Sequence, residues 1–183
     1  THVYPAASGG PAQRRSQIAA FRALLDQARA PRRPLWDTEI NYGLPGVGLK
    51  WRPIGGDLAS AYVARTFLDS LRLGVSRTYW YAWTPTSGYL GVRMHTGTPG
   101  AAGFTTLRTW LVGTVFRGCT GTTSVVCRFT KGTRSFVVAW TEKGTARYLP
   151  PRGTRTACSV TGRACVAVKP GRAVTLGAVP LRL

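Results

Sequence analysis

The stretch Pro34–Tyr42, PLWDTEINY, decides how the chain reads. Leu35–Ile40 is a segment of strand length with Leu35, Trp36 and Ile40 as its apolar members, and Pro31 and Pro34 stop any helix that precedes it. Glu39 then stands at the C-terminal end of the strand, flanked by Trp36 and Tyr42. In parallel α/β folds that end of a strand is where ligand-handling side chains gather. A carboxylate there is costly unless it is hydrogen-bonded or used. The competing reading is a strand-end Glu facing water or paired with an Arg.

Outward from this strand, helix and strand signals alternate. His2–Pro5 reads as the end of a strand, and Ala6–Pro11 as a small-residue loop. Gln13–Ala30 reads as a helix whose inward face is Ile18, Phe21, Leu24, Leu25 and Ala28. Beyond the strand comes a Gly- and Pro-rich loop, Asn41–Gly56. Asp57 is expected to cap a second helix that runs to Leu73, with Gly74 just past its end. Leu58, Ala61, Tyr62, Phe67, Leu68 and Leu71 form the expected inward face of that helix. Val75–Trp83 is a second, aromatic-rich strand, and Phe104–Val112 a short helix. This order is the signature of parallel βαβ units.

From residue 113 the helical signal stops. SVVCRFT, SFVVAWT, ARYLP, ACVAV and AVTLGAV are short strands between turns, with hairpin connections expected at Thr141–Gly144 and Lys169–Gly171. They predict a small antiparallel β-sandwich. The fold class is therefore α/β followed by all-β, divided into 1–112 and 113–183.

The chain has 183 residues and a formal net charge of +19, nearly all of it from Arg. Such a charge attracts polyanions. Compositional bias is the competing explanation, since the basic residues are spread along the chain and form no single block. No apolar run approaches the roughly 20 residues a membrane span needs. The opening THVYP shows no signal-peptide pattern. It looks like the end of a strand, so the expectation is a mature form or the C-terminal piece of a longer polypeptide.

Cys119, Cys127, Cys158 and Cys165 fall into two close pairs. Proximity favours Cys119–Cys127 and Cys158–Cys165 among the three connectivities, and disulfides imply an oxidising compartment. Neither pair has the spacing of a structural zinc knuckle. His2 and His95 belong to no metal-binding motif, so no metal or cofactor is expected.

The six acidic residues are Asp26, Asp37, Glu39, Asp57, Asp69 and Glu142. Asp26, Asp57 and Asp69 suit helix surfaces and caps, and Glu142 a turn, which leaves Glu39 as the unusual one. Tyr79, Trp80, Tyr81 and Trp83 lie on the next strand. Sugar rings stack their apolar faces on such side chains. Alternation turns Trp80 and Trp83 opposite ways unless the strand end bends, so at least one is core. Trp80 is the favoured platform, with Trp83 close behind.

The ordered set HVYP, PLWDTEINYG and SRTYWYAW resembles the last three units of a clan-A glycoside hydrolase, a (β/α)8 TIM-type barrel that acts with retention. The resemblance covers about 112 residues. It implies Glu39, within Thr38–Tyr42, as nucleophile, and His2 and Tyr4 as the residues that orient it and contact sugar. It implies Asn41, Tyr42, Trp80 and Trp83 around the sugar, and a β-sandwich appended after the barrel. It also implies a carbohydrate partner and a secreted or cell-surface location. The family's general acid/base, typically within an Asn-Glu dipeptide on strand four, has no counterpart in this chain. Its loss forfeits about 10²–10⁴-fold in proton-transfer catalysis, so the 183 residues alone are expected to be inactive. Two alternatives stand beside this reading. One is a non-catalytic carbohydrate-binding or cell-surface protein. The other, less favoured, is an Arg-rich nucleic-acid-binding protein, which matches no known motif.

Overall fold

Strands β1 (His2–Val3), β2 (Leu35–Ile40) and β3 (Val75–Trp80) form one sheet in that order, and both pairs are parallel. The computed structural model describes residues 1–30, 33–46, 48, 50–86 and 88–183. Helices α1 (Gly10–Gln27) and α2 (Gly56–Arg72) link consecutive strands, as parallel neighbours require. α3 (Pro99–Leu111) follows β3.

α1 begins at Gly10, earlier than expected, because Pro11 is tolerated in a first turn whose N–H groups lack partners anyway. It stops at Gln27; the expected terminator Pro31 lies outside the described residues. Its inward face also differs from the apolar spacing. Ile18 is buried, but Phe21 and Leu24 are exposed, and the buried face runs through Pro11, Arg14 and Ile18. A buried Arg displaced the apolar register because a carboxylate, Asp37, waits for it on β2.

Gly55, not Asp57, occupies the cap position of α2; Asp57 sits in the first turn, where a negative charge suits the helix dipole. Leu58 and Leu71 prove exposed, whereas Ala61, Tyr62 and Leu68 are buried as expected. α3 packs closely on α2: a Cβ added at Gly103 would lie 2.6 Å from the Ser60 Cα, so only glycine fits there. α3 starts five residues ahead of the expected Phe104, with the Thr98 hydroxyl accepting from the Ala101 N–H at 3.3 Å.

The remaining strands are β4 (Val115–Thr120), β5 (Ser124–Lys131), β6 (Arg134–Thr141), β7 (Ala146–Tyr148), β8 (Thr156–Ser159), β9 (Val166–Ala167), β10 (Val174–Leu176) and β11 (Leu181–Arg182). Six of them form an antiparallel sheet in the order β4-β5-β6-β11-β8-β9, and β7 pairs with β10 apart from it. The turns at Thr141–Gly144 and Lys169–Gly171 are not hairpins: each carries the chain from one sheet to the other. The two-strand layer covers one face of the large sheet through Val126, Val137, Ala139 and Leu176. The other face packs on helices. Val125, Cys127, Phe129, Val138 and Trp140 join Ala64 and Leu68 of α2 and Leu107 and Trp110 of α3 in one hydrophobic cluster.

Both expected disulfides are formed. Cys119–Cys127 ties register partners on β4 and β5, and Cys158–Cys165 ties β8 to the segment before β9. Ion pairs reinforce the contact between the helices and the large sheet. Glu142, just after β6, binds Arg65 of α2 and lies 2.8 Å from Arg15 of α1. Arg15 also reaches Asp69 at 2.9 Å. Asp69 is therefore buried between elements, not on a helix surface as expected, and burial pushes its carboxyl above the usual range while Arg15 pulls it back. Among the described residues, no helix is long and apolar enough to cross a membrane.

Candidate functional site

Alternation along the parallel sheet sorts its side chains onto two sides. Val3, Leu35, Val75 and Ile18 of α1 share a cluster, so those strand residues face the helices. His2 and Tyr4, on either side of Val3, face away. Trp36 and Tyr79 are exposed on that same uncovered side, with the Arg77 guanidinium 4.5 Å from the Trp36 ring centre.

A register irregularity between β2 and β3 falls between Asp37 and Ile40. Its effect is that Asp37 and Ile40, of opposite parity, both face the helices. Asp37 Oδ2 accepts from Arg14 Nε at 2.9 Å and Nη2 at 2.7 Å, while Ile40 packs among Tyr42, Tyr62 and Val63. Glu39 is left on the open side, at the C-terminal end of β2.

There Glu39 Oε2 accepts a hydrogen bond from the Tyr4 hydroxyl and lies 3.6 Å from His2 Nδ1. The Glu39 side chain is 37% exposed and that of His2 57%. Among the described residues no Arg or Lys lies within ion-pair distance of Glu39. The carboxylate is thus held by a phenol, with an imidazole 3.6 Å away and Oε1 uncommitted. Burial, then the hydrogen bond to Glu39 and its charge, push the Tyr4 phenol well above its ordinary value, so Tyr4 stays a proton donor. Tyr81 completes the surround. Its ring meets that of Tyr4 edge-on at 6.4 Å between centres, and its hydroxyl lies 3.2 Å from the Tyr89 hydroxyl. Sequence spacing did not select Tyr81 or Tyr89 as site residues; the position of Tyr81, one residue beyond β3, was the available signal.

Three expected sugar contacts are placed elsewhere. Tyr42 is fully buried, its hydroxyl 2.6 Å from Thr66 Oγ1 and its ring against Tyr62 and Trp80. Ile40 already faces the helices, and the chain turns just beyond it, so Tyr42 packs into the same cluster. Asn41 is also buried. Its Nδ2 donates to the carbonyls of Tyr81, at 2.6 Å, and Val92, at 3.0 Å, and its Oδ1 accepts from the Tyr42 and Val92 N–H groups. Asn41 is a brace between loops with no hydrogen-bonding capacity left for a sugar. Trp80 turns toward the Tyr42 cluster: a first register irregularity, between Leu35 and Trp36, shifts the parity of β3 after Val75, so Tyr79 takes the open side and Trp80 the helix side. Trp83 is 53% exposed, its ring edge-on to Phe104. Of the two tryptophans, Trp83 is the more exposed and Trp80 the one drawn toward the core.

None of the other five acidic residues accompanies Glu39. Asp37 lies behind the sheet on Arg14; Asp57, Asp69 and Glu142 are tied to arginines; Asp26 is exposed on α1. Among the described residues no three His, Cys, Asp or Glu side chains group as a metal site. The arrangement offers one anchored carboxylate with a free oxygen, beside aromatic side chains on an open surface.

No family model matches the chain. No curated protein matches it. Among solved structures it is similar to the crystal structure of a GH30 endoxylanase from Clostridium papyrosolvens C71, with a TM-score of 0.48 and 16% identity. The match covers 87% of this chain and 43% of the other, so the chain spans less than half the length of that protein.

Proposed function

We propose that the chain carries the nucleophile half of a retaining glycoside hydrolase, with residues 1–112 as the last three units of a (β/α)8 barrel and 113–183 as an accessory β-domain. The observation that carries this reading is the state of Glu39: a carboxylate at the C-terminal end of a parallel strand, anchored through one oxygen by Tyr4 and, among the described residues, paired with no Arg or Lys. A carboxylate neutralised by Arg is a poor nucleophile, whereas one fixed by a phenol keeps its charge and its geometry.

In this mechanism Glu39 Oε1 attacks the anomeric carbon, and the glycosidic bond breaks to leave a glycosyl ester on Glu39. Tyr4 holds Oε2 throughout and stabilises the carboxylate again when water releases the sugar. His2 and Trp83 contact the sugar. Protonating the leaving oxygen requires a second carboxyl group about 5 Å away, and none of the six acidic residues supplies it. It comes from outside these residues. The two disulfides fit a secreted or cell-surface enzyme.

Glu39→Gln in the full-length protein abolishes hydrolysis. An aryl glycoside whose leaving group departs without a proton bypasses the missing acid. With a 2-fluoro sugar it labels Glu39, seen as one glycosyl unit of added mass on the peptide that contains it. Turnover unchanged by Glu39→Gln ends the assignment. The lack of a second carboxylate favours one rival, a non-catalytic carbohydrate-binding protein. That rival predicts glycan binding without hydrolysis in the full-length protein.

A further inference from the structure

Main-chain pairing between β2 and β3 ends at Ile40 and Trp80, with one further bond from the Tyr81 N–H to the Ile40 carbonyl at 3.0 Å. From there the chain leaves β3 and comes back at Val92, and one side chain holds both ends of that excursion. Asn41 Nδ2 donates to the Tyr81 and Val92 carbonyls, and Asn41 Oδ1 accepts from the Val92 N–H. Toward Val92 the amide acts as a neighbouring strand would, giving one bond and receiving one. A fourth bond, from the Tyr42 N–H, fixes the amide against its own backbone. Three of the four bonds of a fully buried amide thus go to one loop.

That loop lies close against its anchor. A Cβ added at Gly91 would lie 2.0 Å from the Tyr42 carbonyl oxygen, so only glycine fits there. The Ile54 N–H donates to the Gly91 carbonyl at 2.7 Å, and Ile54 and Val92 are buried with Ile40 and Tyr42. The Gly43 N–H donates to the Pro5 carbonyl at 3.0 Å, which ties in the segment that carries Tyr4. Residues 41–43, directly after β2, therefore grip the backbone beside Tyr4 and the backbone of Tyr81 at once.

The pinned loop carries two phenols to the front of the sheet. The Tyr81 ring meets Tyr4 edge-on, and the Tyr81 and Tyr89 hydroxyls lie 3.2 Å apart. Side chains eight residues apart on a surface loop stay together only if the loop gives up the freedom to separate them. Within the pair one hydroxyl donates to the other, which leaves one proton and lone pairs on both oxygens for the hydroxyls of a sugar.

We propose that Asn41 is a positioning residue for the sugar site: by pinning both ends of the 81–92 loop it holds the Tyr81 and Tyr89 phenols beside Tyr4 and Glu39, where they meet the sugar. This role rests on the assignment of Glu39 as nucleophile.

The test uses the full-length protein and, from a panel of 4-nitrophenyl glycosides, the one it hydrolyses fastest. Asn41→Asp keeps an oxygen for the Tyr42 and Val92 N–H groups but sets another against the Tyr81 and Val92 carbonyls. Its kcat/KM should fall about 10- to 100-fold, the scale of misplacing a site residue by about 1 Å. In a Tyr81→Ala/Tyr89→Ala background the same substitution should cost only about twofold, since the side chains it positions are gone. Equal losses in the two backgrounds would make Asn41 a brace of the fold alone and overturn the proposal. Tyr81→Ala/Tyr89→Ala by itself probes the role without touching Asn41. Tyr89 is exposed and Tyr81 only half-buried, so the fold stands. A kcat/KM within about threefold of the parent would leave Asn41 nothing to position, and overturns it as well. A crystal structure of full-length Asn41→Asp needs no turnover: a Tyr81–Tyr89 pair parted beyond hydrogen-bond distance supports the role, and an intact pair refutes it. Glu39→Gln separates this role from the assignment beneath it. Turnover that survives Glu39→Gln, with the Asn41 effect still lost in the Tyr81→Ala/Tyr89→Ala background, removes the nucleophile and leaves the positioning.

Discussion

Asp37 and Glu39 are two residues apart on one strand, yet they serve opposite sides of the sheet. Behind it, Asp37 is buried against Arg14, which also reaches the Thr66 carbonyl at 3.1 Å and the Ser70 hydroxyl at 2.8 Å. Burial leaves the Asp37 carboxyl above the usual range, with Arg14 pulling the other way. In front, Glu39 is half-exposed and accepts a hydrogen bond from the Tyr4 phenol. The partner, more than the residue type, separates a carboxylate that holds the fold together from one available for chemistry.

Substitutions can break or sharpen that contrast. The largest stability effect belongs to Asp37→Asn, which leaves the Arg14 charge buried without its carboxylate. Denaturant unfolding should show a loss of about 3–5 kcal/mol. If it costs no more than Glu39→Gln, the division between the two sides fails.

Tyr4→Phe comes next, at about 0.5–1.5 kcal/mol for one hydrogen bond. Its pH dependence has a definite sign. The folded-state phenol titrates above its ordinary value of about 10, so its contribution is intact below that pH and declines as pH rises beyond it. The alkaline fall in stability should therefore be shallower in Tyr4→Phe than in the parent chain, compared in unfolding curves across alkaline pH. Smallest is Glu39→Gln, whose thermal or denaturant stability should stay within about 0.5 kcal/mol of the parent even as hydrolysis disappears.

Much of this was legible before any coordinates. Pro34 and the strand-length Leu35–Ile40 located β2, the cysteine spacing gave both disulfides, and the order of elements gave parallel strands followed by antiparallel ones. What escaped was set by partners distant in sequence. Apolar spacing assigned Phe21 and Leu24 to the core of α1, because nothing local shows that Arg14 is drawn inward by Asp37. Tyr42 and Trp80 looked like sugar contacts because an aromatic side chain serves a core or a platform equally well. The two register irregularities between β2 and β3 sort them, and they leave no mark in residue type.

The cluster that joins α2 and α3 to β5 and β6 also constrains what can be done with the last seventy residues. Cutting the chain after Leu111 would strip the antiparallel sheet of Leu68, Leu107 and Trp110, and expose Phe129, Val138 and Trp140 to water. The last seventy residues are consequently no portable tag to be grafted onto another enzyme: severed from α2 and α3, their large sheet loses the apolar partners it packs on.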